Sequence, residues 1–154
     1  MLLWGCKDVA MFDLWSIEHF INGIAAAGGA ALIINKCFKK IDFNPENRKL
    51  VNFLIVLALS LLWECVEHYL ESGLIIKGAV GDRVTYWFQG VEHWTNRLFG
   101  DTLTVLLGWG VYHWKNKLAL PAKIFSLVWM IVHIFVFPHS MYLHRLLFPC
   151  TCHI

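Results

Sequence analysis

Charge is scarce in this chain. Only 16% of its residues are Asp, Glu, Lys or Arg, where a soluble domain carries about a quarter. The net charge is +2 with histidine counted as neutral, which excludes the strongly basic balance of a nucleic-acid-binding protein. A cysteine framework is missing too. Cys6, Cys37, Cys65, Cys150 and Cys152 are odd in number and scattered, so they do not read as a set of bridges. Cys65 lies in an apolar run and reads as a small core residue. The tail Cys150-Thr151-Cys152-His153 is half of a soft-metal motif. No secretory leader is evident, because Lys7 and Asp8 interrupt the start and no small-residue cleavage site follows a short apolar core. The first apolar run therefore reads as a retained helix.

Apolar residues fill the space that charge leaves. They make up 58% of the 154 residues, and the mean hydropathy is +0.56. Crossing ~30 Å of hydrocarbon takes about 20 residues of helix, and the runs are near that length. They predict a single all-α domain over 1–154, a small polytopic bundle of about four transmembrane helices. The expected spans are roughly 12–35, 50–70, 98–114 and 121–137. The third is extended from 86 if the amphipathic segment Tyr86 to Arg97 belongs to it rather than to the membrane surface. Small residues crowd the centre of the first span, from Ile21 to Ile34, and let helix backbones approach closely in lipid. Asn44-Pro45 breaks the chain after the first span, Pro121 opens the fourth and Pro138 ends it.

Eight tryptophans are many for this length. Trp15, Trp63, Trp87, Trp94, Trp109 and Trp114 fall near expected helix ends, as interfacial anchors do. Basic residues orient the bundle. The loops after the first and third spans hold Lys36, Lys39, Lys40, Arg48, Lys49, Lys115, Lys117 and Lys123. The other side holds Lys7, Lys77, Arg83, Arg97 and Arg145. The excess predicts both loops on the cytoplasmic side and both termini outside, in an inner membrane of bacterial type.

Ionisable groups inside a span are costly, at about 2.5–3.5 kcal/mol each near the centre, so their positions carry information. The first span begins with Asp13, Glu18 and His19. The second ends with Glu64, Glu67, His68 and Glu71. The third is preceded by Glu92, His93, Asn96 and Arg97 and contains Asp101, and the fourth carries His133 with His139 and His144 beyond it. In an up-down bundle all of these fall in one leaflet. Glu64, Glu67, His68 and Glu71 stand at i, i+3, i+4 and i+7, one face of a helix. His93, Asn96 and Arg97 share a face, whereas Asn96 and Asp101 are five apart and need not coincide.

The motifs resemble the VanZ-like membrane proteins. Asp13 to His19-Phe20-Ile21-Asn22-Gly23 is similar to that family's first element, Leu62-Trp63-Glu64-Cys65-Val66-Glu67 to its second, and Gly100-Asp101-Thr102-Leu103-Thr104-Val105-Leu106-Leu107-Gly108 to its third. The match spans about residues 13 to 108. Asp13 is six residues from His19, His68 and His93 are additional, and the Asn expected beyond Asp101 is absent. The resemblance implies a helical membrane bundle with a polar site and supplies no reaction.

Several functions stay open at this point. Partly buried carboxylates can pair with His68, His93, Arg97 or Arg83 and merely hold helices in register. A divalent metal, Zn, Mn or Fe, can be held by His19, Glu64, Glu67, His68 and His93. A metal-free acid/base or proton-relay site is the third choice. The expected activity is that of an envelope enzyme acting on a lipid or lipid-linked substrate, with Glu64, Glu67 and Asp101 as its acid/base groups. The alternative is a non-enzymatic partner of the lipid bilayer: an accessory subunit of a larger membrane complex, or a small-molecule or ion binder. Haem held between pairs drawn from His19, His68, His93 and His133 is a further geometric option.

Overall fold

The computed structural model of the chain describes residues 2–39, 41, 43–74, 77–88 and 91–135, apart from the side chains of Trp87 and of residues 133–135. The architecture is helical. Among the described residues, five helices, α1 (Leu14–Cys37), α2 (Pro45–Glu71), α3 (Ala79–Phe88), α4 (Thr102–Trp114) and α5 (Ala119–Phe135), follow two short strands, β1 (Leu2–Trp4) and β2 (Ala10–Phe12). A π-helical turn, Asn96–Asp101, leads into α4, and a 3-10 turn, Asn116–Leu118, leads into α5. α1 and α2 are each long and apolar enough to cross a membrane.

Local chemistry sets the helix ends. Asp13 caps α1: its carboxylate accepts from the backbone N–H of Trp15 at 2.7 Å and of Ser16 at 3.2 Å. Ser16 Oγ accepts in return from the Asp13 N–H at 3.1 Å. This reciprocal arrangement satisfies donors that a helix start leaves orphaned. Asn44 caps α2 through the Asn47 N–H at 2.7 Å. Pro45 therefore opens the second helix, at the one position where its missing N–H costs nothing.

Residues 2–12 were not expected to be ordered as strands. β1 and β2 pair in parallel, Leu2 with Ala10 and Trp4 with Phe12. The turn between them is closed by Val9 and Ala10, whose N–H groups both donate to the Cys6 carbonyl. The Lys7 carbonyl accepts from His93 N–H at 2.9 Å, which fastens this loop to the approach of α4. Cys6 is buried and disulfide-bonded, which corrects the reading of the cysteines as unbridged. Cys37 and Cys65 are free and exposed, so Cys65 is not a core residue. Cys150, Cys152 and His153 lie outside the described residues.

α1 is the hub, packing against α4, α5 and α2. Its crossing with α4 depends on two glycines. A Cβ at Gly23 would run into the Val105 carbonyl, and one at Gly108 into the Phe20 carbonyl. Small residues permit this backbone approach. Around it lie Ala27, Ala30, Val56 and Val105, all buried. Asn52 ties three helices together: its amide donates to the Ala27 carbonyl at 3.0 Å and its oxygen accepts from Trp109 Nε1 at 3.0 Å. Trp109 is thus a structural hydrogen-bond donor rather than an interfacial anchor, while Trp63, Trp94 and Trp114 are exposed as anchors would be.

Gly23→Ala puts a methyl group against backbone that cannot rotate away. It is expected to cost about 1–3 kcal/mol as overpacking does, read as a lowered melting temperature in detergent. Gly29→Ala, at a position with nothing within 4 Å, is the control and leaves the melt unchanged. Equal melts for the two variants would show that the α1–α4 crossing does not depend on glycine.

Candidate functional site

α2 buries one continuous seam: Asn52, Val56, Ser60, Glu64, Glu67 and Glu71. The steps of four, four, four, three and four follow a helix face, and the seam turns from neutral to acidic over its last two turns. Glu64, Glu67 and Glu71 meet the start of α1 and the π-helical turn. His68, one residue beyond Glu67, points about 100° away, is exposed, and stands beside the Tyr69 ring. It does not join the site, contrary to expectation.

The π-helical turn decides the rest. A π-helix makes backbone hydrogen bonds between residues five apart, so its wider turn brings Asn96 and Asp101 closer to one face than an α-helix would. Both are fully buried. Gly100 sits within this turn with the Met11 carbonyl against it, where no side chain would fit. Asn96 Nδ2 donates to Asp13 Oδ2 at 3.2 Å and to Glu92 Oε1 at 3.0 Å. Ser16 Oγ donates to Asp101 Oδ1 at 2.9 Å. A polar chain therefore runs Glu92, Asn96, Asp13, Ser16, Asp101. His93 is not part of it. Its Nδ1 lies 2.7 Å from Thr95 Oγ1 and accepts from the Thr95 N–H at 3.3 Å, so it closes the turn locally and is not a ligand of the cluster. With His68 exposed and His93 so engaged, neither stands as an axial haem ligand opposite His19. The His133 side chain, His139 and His144 lie outside the described residues.

At the centre His19 is buried between two carboxylates. Its Nδ1 is 3.8 Å from Glu64 Oε1 and its Nε2 is 3.7 Å from Asp101 Oδ2. His19, Glu64 and Glu67 each offer a ligand atom, all within 4.8 Å of one another, and Glu64, Glu92 and Asp101 do the same. Both oxygens of Glu64, and one each of Glu67, Glu92 and Asp101, are buried without a hydrogen-bond partner. Of the expected residues, the fold brings His19, Glu64, Glu67 and Asp101 together, and adds Glu92 and Asp13.

A second layer carries the cations. Lys7 Nζ donates to Glu71 Oε1 and Arg97 Nη2 to Glu71 Oε2, each at 2.5 Å. The Glu92 N–H also donates to Glu71 Oε2 at 3.0 Å, and Arg97 Nη1 reaches the Glu64 carbonyl at 3.3 Å. Sequence reasoning missed Lys7 because only the ordered strand pair carries it inward. Burial pushes the Asp13 carboxyl up from 3.8 to about 6, against the opposing pull of the Trp15 and Ser16 N–H groups, Asn96 and Lys7. The Glu92 carboxyl is also pushed up, by burial first and then by the neighbouring carboxylates of Asp101 and Glu67.

His19 also faces a cavity of about 730 Å³, bounded by α1, α2, α3 and α5 and walled mainly by apolar side chains such as Trp15, Val56, Leu59, Trp63, Phe88 and Leu127. Trp15 is therefore a wall of this cavity. The chain matches no protein-family model, no characterised protein and no solved structure.

Two outcomes follow. Arg97→Gln leaves Glu71 with a single cation and is expected to destabilise the fold by about 3–5 kcal/mol, as breaking a buried pair does, while exposed His68→Ala stays within about 0.5 kcal/mol. Chemical denaturation in mixed micelles measures both. The second concerns pH. Asp13 holds its proton more tightly folded than unfolded, so its contribution is complete below about pH 3.8 and is lost as pH rises through about 6. Melts with chelator present should fall over that window, and Asp13→Asn should flatten the fall. An undiminished slope in the variant would remove Asp13 as its source.

Proposed function

We propose that this chain is a metal-dependent membrane enzyme acting on a lipid or lipid-linked substrate. One observation carries the reading: Glu64 is buried with both oxygens unpartnered, within ligand distance of His19 and Glu67, where His19 opens onto an apolar cavity. Carboxylate and imidazole donors suit Zn, Mn or Fe. A cation held there would polarise a carbonyl or phosphoryl oxygen and acidify a bound water. Glu67 is placed to take the proton, Asp13 and Ser16 hold Asp101 in position, and the cavity takes the apolar chain of the substrate. The three segments that resemble VanZ-like proteins are the ones contributing Asp13, His19, Glu64, Glu67 and Asp101.

The membrane reading draws on the outward faces of the helices. Only 28% of the apolar stretch of α2 is buried inside the protein, and on α5 Ile124, Phe125, Val128 and Ile131 are exposed. Such faces suit lipid and not water. We read four spans: α1, α2, α4 with its π-helical turn, and α5. A disulfide at Cys6 fits an oxidising compartment, and free Cys37 lies at the other end of α1. Together with the basic loops this supports reading the acidic cluster as lying on the outer face. The buried Lys7–Glu71–Arg97 layer also fits the alternative of a non-enzymatic membrane component whose polar residues hold helices in register.

Elemental analysis of detergent-purified protein separates the two. A stoichiometric divalent metal that is lost in a Glu64→Gln/Glu67→Gln double variant is the expected result. Mass spectrometry of lipids from cells expressing each form should then show a change with the native chain only. Protein without metal sinks the metal-dependent reading, and identical lipid profiles favour the non-enzymatic one.

A further inference from the structure

We propose that Glu64 bridges two divalent cations, one completed by His19 and Glu67 and the other by Glu92 and Asp101. The inference rests on the metal-dependent reading above and specifies its nuclearity. The two ligand triads, His19–Glu64–Glu67 and Glu64–Glu92–Asp101, have Glu64 alone in common. Glu64 is 1% exposed, and neither of its oxygens has a hydrogen-bond partner. Each is available to a different cation, which is what a bridging carboxylate requires.

The outer ligands are arranged to match. Glu92 gives Oε1 to the Asn96 amide and Asp101 gives Oδ1 to the Ser16 hydroxyl. The other oxygen of each, Oε2 and Oδ2, is buried without a hydrogen bond, Oε2 lying 3.6 Å from Arg97 Nη2 and Oδ2 3.7 Å from His19 Nε2. One oxygen of each carboxylate is thus hydrogen-bonded to the protein, which fixes its orientation, while its fellow makes no hydrogen bond, the pattern by which supporting hydrogen bonds aim metal ligands. The His19 spacings, 3.8 Å to Glu64 and 3.7 Å to Asp101, are too long for hydrogen bonds. The Nδ1–Glu64 spacing suits two ligands on one ion, each about 2.0–2.2 Å from it, while Nε2 faces the Asp101 position.

Charge supplies the independent argument. The buried acids among the described residues are Asp13, Glu64, Glu67, Glu71, Glu92 and Asp101, and the buried cations are Lys7 and Arg97. Lys7 pairs with Glu71, and Arg97 pairs with Glu71 and, at 3.6 Å, with Glu92 Oε2. If all six acids are ionised, they exceed the two cations by four charges, which two divalent ions would balance and one would not. Carboxylate-bridged pairs recur in helical bundles with inward-facing glutamates. Two ions about 3.5–4 Å apart can clamp both the attacking and the leaving oxygen of a displacement, which fits an ester or phosphoester of a lipid.

The test uses the full chain in detergent, loaded with Mn²⁺ and desalted. Elemental analysis should give two ions per chain, and electron paramagnetic resonance should show an exchange-coupled pair. Glu92→Gln and His19→Ala should each reduce the ratio to one and replace the coupled signal with that of an isolated ion. A melt on each sample checks that it is folded, and Asp101→Asn serves if Glu92→Gln does not fold. One ion per native chain with an isolated signal overturns the bridged pair and leaves the metal-dependent reading standing. No bound ion overturns both. Two uncoupled ions, or two ions retained in Glu92→Gln and Asp101→Asn alike, overturn the assignment of the second position.

Discussion

Six carboxylates buried with two cations among the described residues set the terms for the structure. An isolated buried charge costs several kcal/mol even after relaxation, so each acid must be paired, protonated or bound to something positive. Glu71 is paired, with Lys7 and Arg97 on its two oxygens. Asp13 is met by backbone N–H groups and by Asn96. What remains, centred on Glu64, has only His19 and the 3.6 Å contact of Arg97 with Glu92 as compensation among the described residues, and that shortfall is the basis for the proposed metal site.

The fold serves this cluster from three directions. The α2 seam delivers three glutamates, the capped start of α1 delivers Asp13, Ser16 and His19, and the π-helical turn delivers Asn96, Arg97 and Asp101. The N-terminal strand pair adds Lys7 from outside the bundle. The α1–α4 crossing at Gly23 and Gly108 brings the first and third of these contributions together. His19 also lines the apolar cavity, so one residue belongs both to the polar centre and to the space beside it.

Much of this was legible from one chain. Helix length and apolar content follow from composition, and the positions of Glu64, Glu67 and Glu71 follow from a period of 3.6. The expected boundaries of the first two helices, 12–35 and 50–70, compare with Leu14–Cys37 and Pro45–Glu71. The second differs most because Pro45 starts a helix as readily as it stops one. His68 and His93 were misassigned for a shared reason. A face argument identifies residues on the same side of a helix, yet it does not say where the seam runs within that side, nor that a neighbouring Thr95 will engage the imidazole.

The sequence by itself determined which residues are expensive to bury and which helix ends carry them, because cost and period are properties of local chemistry. Tertiary structure alone decided which of them meet. Bringing Asn96 and Asp101 toward one face needs a wider turn than an α-helix provides, and the glycine at 100 leaves room for the Met11 carbonyl to pack there. The turn of Lys7 toward Glu71 needs a strand pair that eleven residues do not form without the bundle to fasten to. Both are long-range packing outcomes, and no window of local sequence contains them.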